Sequence, residues 1–108
     1  MELEALVLAL LESRPMYGYE LVQRARSRGQ LEWEEGTIYP LLHKMERAGR
    51  LRSEWRKGTQ GKDRKYYALT RKGKTALAKA RVDWKEQARA ISKILLGGRY
   101  GDARGSAS

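Results

Sequence analysis

The chain of 108 residues contains no cysteine, which excludes disulfide bonds and thiolate metal sites. This absence suits a reducing cytoplasm, where we expect the protein to reside. Long hydrophobic runs are also missing, because the longest one, residues 5–11, is too short to span a bilayer. No basic segment precedes that run as a secretion signal requires. The sequence therefore predicts a cytoplasmic protein with no membrane partner and a core of modest size.

Residues that support catalysis are scarce as well. His43 is the only histidine, and without a cysteine or a second imidazole it is a poor metal ligand. No nucleophile is paired with it, so it is also a poor general base. Because the sequence shows no carboxylate pair, nucleophile–base set or metal cluster, we expect neither enzyme activity nor a cofactor.

Positive charge is abundant and unevenly distributed. The formal net charge is +10, and residues 1–35 carry −3, residues 36–75 carry +9 and residues 76–108 carry +4. A cationic middle segment is typical of a nucleic-acid footprint. The alternative is a basic surface that only keeps the protein in solution.

Residues 36–49 predict a short helix with two different faces. Apolar side chains recur at offsets of three, four and seven and form one buried stripe, which consists of Ile38, Leu41, Leu42, Met45 and Ala48. The opposite line is polar or cationic and consists of Thr37, Pro40, Lys44 and Arg47, with Tyr39 and His43 beside it. A helix that is anchored by one face and presents an aromatic and cationic other face fits a DNA major groove.

The ends of this helix carry their own signals. We expect the Thr37 hydroxyl to cap the start and Pro40 to lie in the first turn, where its missing N–H would have had no partner. Gly49 is expected to take the left-handed conformation that ends the helix.

Five residues of the helix are expected to face the groove, namely Thr37, Tyr39, Pro40, His43 and Lys44. Lys44 can contact a guanine edge or a phosphate, and the sequence does not decide between them. Tyr39 can donate its hydroxyl to a phosphate, whereas the alternative is a half-buried tyrosine that braces the helix. We favour the DNA role because the neighbours of Tyr39 point outward.

Two helices are predicted to precede this one. The first ends near residues 13–15, and its apolar arc is wide enough to need cover on more than one side, so we expect part of it to meet a second subunit. The helix is apolar at Leu3, Leu6, Val7, Leu10 and Leu11, and Val7 and Leu8 widen the arc. The second covers residues 17–25, turned inward at Leu21, Val22 and Ala25, and ends at Gly29. Gly18 is unusual at its start, and either the close approach of another backbone or fraying of the first turn explains it.

Three segments predict strands. Residues 31–33 alternate and are expected to form a very short strand, the extra strand of a winged helix-turn-helix. Residues 51–56 and 64–69 predict a β-hairpin. The cations that flank its tip are Lys57, Lys62, Arg64 and Lys65. They can enter a minor groove or hold phosphates, and the alternative is a solvated basic loop.

The last predicted helix begins after Thr70, which caps it, and runs to about residue 96. Leu77, Trp84 and Ile91 recur every seven residues, a pattern that favours coiled-coil-like pairing with a second chain. The stripe is widened by Ala88 and Leu95. Residues 97–108 consist of small and charged residues and predict a disordered tail.

Trp84 has two interpretations. In a symmetric dimer its two copies can approach each other and form an aromatic slot for flat or cationic ligands, with Ala88 as a neighbour. The alternative is core packing, because an aromatic at a dimer seam is common without any ligand.

Three motifs together resemble those of the PadR family, which are bacterial winged-helix transcription regulators. The first is Tyr17-Gly18-Tyr19-Glu20-Leu21. The second is Gly36-Thr37-Ile38-Tyr39-Pro40-Leu41-Leu42, followed by Glu46-Arg47-Ala48-Gly49. The third is Arg64-Lys65-Tyr66-Tyr67-Ala68-Leu69-Thr70, followed by Gly73. The resemblance covers nearly all of residues 3–96 and is to the short branch with a single C-terminal helix.

The resemblance implies a homodimer in which the last helix of one subunit packs against the first and last helices of the other. It also implies repression through operator binding, often relieved by a small aromatic or cationic compound. It supports Tyr17 as a phosphate contact, while a core role for Tyr19 is equally compatible with it.

We therefore predict a mainly α protein with a small antiparallel sheet. A winged helix-turn-helix is expected over residues 1–70, a dimerisation helix over residues 71–96 and a tail over residues 97–108. The predicted partners are double-stranded DNA with a pseudo-palindromic operator, a second copy of the chain and a small-molecule effector. The alternatives are a non-specific nucleic-acid-binding or nucleoid-associated module and a protein-interaction adaptor.

The residues expected to carry these roles fall into three sets. The predicted DNA contacts are Tyr17, Thr37, Tyr39, Pro40, His43, Lys44, Lys57, Lys62, Arg64 and Lys65. The predicted dimer contacts are Leu6, Leu10, Leu77, Trp84, Ala88, Ile91 and Leu95. The predicted ligand contacts are Trp84 and Ala88.

Overall fold

Four helices and three strands make up the described part of the chain, which comprises residues 2–58 and 61–97 of a computed structural model. In chain order the elements are α1 (Glu2–Leu10), β1 (Met16–Tyr17), α2 (Gly18–Gly29), α3 (Glu35–Arg47), β2 (Leu51–Arg56), β3 (Arg64–Leu69) and α4 (Arg71–Leu95). The strands form one antiparallel sheet in the order β1-β3-β2. The predicted fold class, mainly helical with a small antiparallel sheet, is confirmed.

The hairpin of β2 and β3 has the limits that the sequence predicts. Its register pairs Leu51 with Leu69 at the base and Arg56 with Arg64 at the far end. Tyr67 and Leu69 lie on the face of β3 that turns toward the helices and are buried, and Ala68 between them is buried as well. In β2 only Leu51, at the base, is buried, while Trp55 and Arg56 at the far end are exposed, so this end of the hairpin extends beyond the core as a wing.

The third strand is not where we predicted it. Residues 31–33 form no strand, and β1 pairs with the other edge of β3 instead, with Met16 opposite Tyr67. The N–H of Leu31 donates to the Ala25 carbonyl at 3.1 Å and the N–H of Gln30 donates to the Arg26 carbonyl at 2.9 Å. These bonds cap the C-terminal end of α2. Because the Leu31 N–H donates to the cap, it is not available to pair with a neighbouring strand.

The core is a single cluster formed by α1, α2, α3, the sheet and the first turns of α4. The predicted inward residues of α3 are buried, namely Ile38, Leu41, Leu42 and Met45. Ala48 is exposed, contrary to the prediction, because it lies just beyond the last helical residue. Leu77 on α4 also belongs to this cluster.

Three helix ends differ from the predictions. α1 ends at Leu10 and passes into a turn, earlier than residues 13–15. α2 runs through Gly29, and the left-handed residue that ends it is Gln30, at φ 57°. α3 begins at Glu35 with Glu34 as its N-cap, because the Glu34 carbonyl accepts hydrogen bonds from the N–H groups of Thr37 and Ile38.

Thr37 therefore lies inside the first turn of α3 and does not cap it. Pro40 lies one turn further in than predicted, at the sixth helical position. There its ring removes the N–H that would have bonded the Gly36 carbonyl, and Gly36 is exposed, so water can reach that carbonyl. Gly49 has φ 82° and follows the helix as predicted.

The start of α4 is capped as predicted. The Thr70 Oγ1 accepts a hydrogen bond from the Gly73 N–H at 3.0 Å and donates one to the Gly49 carbonyl at 2.6 Å. A Cβ at position 73 would overlap the carbonyl of Arg50, so only glycine allows this close approach. The helix ends at Leu95, one residue before the predicted end.

The chain divides into two compact units, the first of which ends at Leu77. α4 begins in this unit and continues into the second. The predicted domain limits at residues 70 and 96 stay predictions. The predicted tail, apart from Gly97, lies outside the described residues. Across residues 2–58 and 61–97, no helix combines the length and the apolar character needed to cross a membrane.

Candidate nucleic-acid interface

The outward side of α3 presents the residues that we predict for a DNA groove. Because the buried stripe occupies one side of the helix, the opposite side is exposed to solvent. It carries Thr37, Pro40, His43, Lys44 and Arg47, all of them exposed. Arg47 is absent from our predicted contacts although it lies one turn beyond His43 on the same side. Tyr39 lies at the edge of this side and is 38% exposed.

Tyr39 connects α3 to the start of α2. A Cβ on Gly18 would overlap the Tyr39 ring, so the glycine at the start of α2 is explained by close approach of a side chain and not of a backbone. Burial raises the pKa of the Tyr39 phenol, and Glu35 raises it further, while the charge of Arg64 opposes both. The hydroxyl is therefore protonated at neutral pH and can donate a hydrogen bond to a phosphate oxygen.

Two arginines and two tyrosines stack on the outer face of the sheet, the face opposite buried Tyr67. The Arg64 guanidinium carbon lies 4.4 Å from the centre of the Tyr17 ring, and that of Arg56 lies 4.3 Å from the Tyr66 ring. The two rings meet edge to face, with centres 5.3 Å apart. We call the set Arg56, Tyr66, Tyr17 and Arg64 the arginine–tyrosine ladder.

Half of this ladder was not predicted from the sequence. Tyr17 and Arg64 are among the predicted DNA contacts, whereas Arg56 and Tyr66 are not. Alternation along β2 and β3 places Arg56 and Tyr66 on the outer face, and that signal is present in the sequence. Their contact depends on the register and on β1 pairing with β3, which the sequence did not disclose.

A second set of contacts fixes the hairpin against α3. The Ser53 hydroxyl donates to a Glu46 carboxylate oxygen at 2.6 Å, and the Lys65 Nζ lies 3.5 Å from the other oxygen. The hydrogen bond from Ser53 lowers the pKa of the Glu46 carboxyl, burial opposes this, and the charge of Lys65 lowers it further. Lys65 thus has a partner within the chain, whereas Lys57 and Lys62 are exposed.

Lys44 is exposed but also has a neighbour within the chain. Its Nζ lies 3.8 Å from Glu4 on α1, and Glu4 also accepts a hydrogen bond from Arg50 at 2.8 Å. The Lys44 side chain is 66% exposed and its contact is long, whereas Glu4, at 13%, also has the shorter bond to Arg50 and would keep it without Lys44. Lys44 can therefore exchange Glu4 for a DNA group at small cost.

The residues predicted for the dimer and the ligand fall into two groups. Leu77 and Leu10 are 4% and 8% exposed and belong to the core of their own chain. Leu6, Trp84, Ile91 and Leu95 are exposed large hydrophobic residues, and Ala88 is partly exposed. Within the first unit, a shallow cavity of about 180 Å³ is lined by Leu6, Ala9, Leu10, Ala25, Arg28, Gly29, Leu31 and Trp33.

Comparison with known proteins agrees with this architecture. The model of the Transcriptional regulator PadR-like family matches residues 7–79. A PadR family transcription regulator from Clostridium difficile R20291 is 30% identical, with a TM-score of 0.80 and coverage of 88% of this chain and 99% of that chain. A PadR family transcriptional regulator from Eggerthella lenta is 36% identical, with a TM-score of 0.74 and coverage of 87% and 86%.

A PadR-like transcriptional regulator from Bacillus cereus is similar as well, at 30% identity, with a TM-score of 0.77 and coverage of 86% of this chain and 90% of that chain. The family match spans more than half of the chain and includes α2, α3 and the hairpin. These proteins are transcription regulators and not enzymes. The chain belongs to the PadR-like family of DNA-binding transcriptional regulators.

Proposed function

We propose that the protein is a homodimeric repressor that binds a pseudo-palindromic operator through α3 and the hairpin. The main support for this proposal is the position of Tyr39. Its ring packs against Gly18 at the start of α2, and its hydroxyl is close enough to Arg64 of the hairpin for that charge to oppose the rise in its pKa that burial causes. Residues 36–75, which include α3 and the hairpin, carry a formal charge of +9, as expected for a segment that binds phosphates.

The roles of individual residues follow from their placement. Thr37, Pro40, His43 and Lys44 are exposed on one side of α3 and are proposed to enter the major groove. Tyr17, Tyr39, Lys57, Lys62 and Arg64 are proposed to hold the backbone. Lys65 is also proposed to contact the DNA, from its position beside Glu46.

A dimer is supported by α4. Among the described residues 78–97, no side chain is buried, and the exposed apolar ones include Trp84 at 57% and Ile91 at 45%. A helix with such a stripe gains stability by pairing with another helix. A second copy of the chain would also cover Leu6 on α1. In a twofold dimer the two α3 helices would meet successive major-groove faces, about 34 Å apart.

We further propose that the two copies of Trp84 and Ala88 at the dimer seam accept a flat aromatic or cationic compound that releases the operator. The exposure of Trp84 supports this, because an indole face that is open to solvent can stack on such a compound. Titrating a planar cationic dye without DNA should quench tryptophan emission in the wild type. The Trp84→Phe variant, which keeps Trp33 and Trp55, should lose most of the quenching.

The operator proposal is tested by footprinting on the DNA upstream of the protein's own gene. We expect two protected half-sites related by a twofold axis, and reduced transcription in vitro when the protein is added. Lys44→Ala should weaken binding more on this DNA than on a scrambled duplex if Lys44 contacts a base, and equally on both if it contacts a phosphate. Uniform protection at all concentrations would instead support a non-specific nucleic-acid-binding module.

A further inference from the structure

The arginine–tyrosine ladder places two like charges at the same level of the hairpin. Arg56 and Arg64 are register partners, so their side chains leave the same face of the sheet at neighbouring positions. Like charges directly opposite each other are destabilising unless something compensates for them. Each guanidinium lies over a tyrosine ring, and the Arg56 Nε also donates to Glu54 at 2.8 Å.

The tyrosine rings orient both guanidinium groups and leave guanidinium N–H groups free to donate hydrogen bonds to a ligand. The guanidinium carbons lie 4.3 Å and 4.4 Å from the ring centres, and a cation–π contact of this kind needs no oxygen acceptor, so the N–H groups can still bind one. The bond to Glu54 involves the Arg56 Nε and not its two Nη groups. Planar guanidinium edges match the geometry of phosphate oxygens.

The ladder also adjoins the proposed DNA surface. Tyr17 immediately precedes Gly18, against which the Tyr39 ring of α3 packs. Arg64 stacks on Tyr17. Tyr66 and Arg56 continue the series from β3 to β2. A DNA backbone that reaches the start of α2 would therefore meet Arg64 first and Arg56 next.

We propose that Arg56 and Arg64 bind the DNA phosphodiester backbone as a pair, and that Tyr66 is the positioning residue that holds Arg56 in its binding orientation. This inference rests on the proposed function and adds to it two residues and one division of roles. Arg56 supplies one phosphate contact and Arg64 supplies the other. Tyr66 acts through Arg56 and contributes its ring, not its hydroxyl.

The experiment measures Kd for one operator duplex at several salt concentrations with the full-length protein. Arg56→Ala should weaken binding and reduce the slope of log K against log salt by about one. Tyr66→Leu should weaken binding about two- to fivefold, the range expected for an exposed cation–π contact. Tyr66→Phe keeps the ring and should bind like the wild type.

A double-mutant cycle separates positioning from a general structural effect. Tyr66→Leu should have no further effect in the Arg56→Ala background, because the arginine that it positions is already gone. Arg52 is the matched control, since it is exposed on the same strand and face but pairs with Ala68. The effects of Arg52→Ala and Tyr66→Leu should add.

Three results would overturn the inference while leaving the proposed function intact. One is wild-type affinity and salt slope in Arg56→Ala. Another is a Tyr66→Phe variant as weak as Tyr66→Leu, which would assign the role to the hydroxyl. The third is additivity of Arg56→Ala with Tyr66→Leu. If the wild type binds no duplex even at low salt, both the inference and the proposed function fail. Thermal unfolding of each variant shows whether the fold is retained.

Discussion

At the scale of single residues, two glycines near helix starts have different surroundings, so replacing them should have different effects. At Gly18 the Tyr39 ring occupies the place of a side chain, whereas at Gly36 nothing lies within 4 Å of an added Cβ. Both glycines lie within the first two positions of a helix. Their different surroundings make them a matched pair for testing the contact between α2 and α3.

Gly18→Ala should lower the free energy of unfolding by about 1–3 kcal/mol, the usual cost of overpacking. Gly36→Ala should instead raise it by about 0.5–1 kcal/mol, because alanine is the better helix former and the position is open. Urea denaturation of both variants measures the difference. In a Tyr39→Ala background the cost of Gly18→Ala should shrink, and equal stabilisation at both positions would contradict the contact.

The lowered pKa of Glu46 predicts that its bond to Ser53 contributes a pH-dependent stability. A carboxyl whose pKa is lowered in the folded state adds stability above its unfolded pKa, and this stability is lost as the pH falls through the folded pKa. Ser53→Ala removes the main cause of the lowering. The variant should be less stable than the wild type by about 1 kcal/mol at pH 7.

The stability gap between Ser53→Ala and the wild type should narrow as the pH falls below about 4, where carboxyl groups take up protons. Chemical denaturation at a series of pH values measures this gap. Glu46→Gln serves as the control, because without the carboxylate the gap should no longer depend on pH in this range. A constant gap in the wild-type background would show that Ser53 acts through something other than the charged form of Glu46.

At the scale of elements, periodicity and turn residues were sufficient for most of the fold. The hairpin limits came from two alternating segments separated by a polar, glycine-containing connection, and α3 came from a single apolar stripe. β1 has only two residues, Met16 and Tyr17, too few to show any period. Residues 31–33 show alternation but serve the end of α2. Short segments of this kind are decided by their partners, which the sequence does not identify.

We predict that one side of α4 forms the seam of a dimer. Ile91 lies on the stripe that starts at Leu77, and Val82 lies on the opposite side of the same helix. Their exposures are similar, at 45% and 55%. Ile91→Glu should shift the protein toward monomers, because it would place a charge within an apolar seam. Val82→Glu should leave the assembly unchanged.

Sedimentation equilibrium of the two α4 variants and the wild type measures this shift. A monomeric wild type would contradict the proposed dimer outright. Equal behaviour of the two variants would show that the stripe through Trp84 and Ile91 is not the seam. Dimers that dissociate only in Ile91→Glu would assign the seam to this side of α4.

At the scale of the whole molecule, the sequence was more informative about chemistry than about assembly, for which the seven-residue repeat on α4 is its main signal. The concentration of positive charge in residues 36–75 and the three motifs indicated a DNA-binding regulator, and the family match agrees. Individual site residues could be predicted only where the local hydrophobic pattern shows which way a side chain points, as it does for Lys44 on α3. Contacts between distant segments, such as Arg56 with Tyr66 or Lys44 with Glu4, depend on packing that no local pattern reveals.

The most direct test of the central claim is selection of bound sequences from a pool of random duplexes, using the full-length protein. A twofold dimer with α3 in the major groove predicts enrichment of an inverted repeat with half-site centres about one helical turn apart. Enriched sequences without twofold symmetry, or no enrichment over the starting pool, would contradict the account.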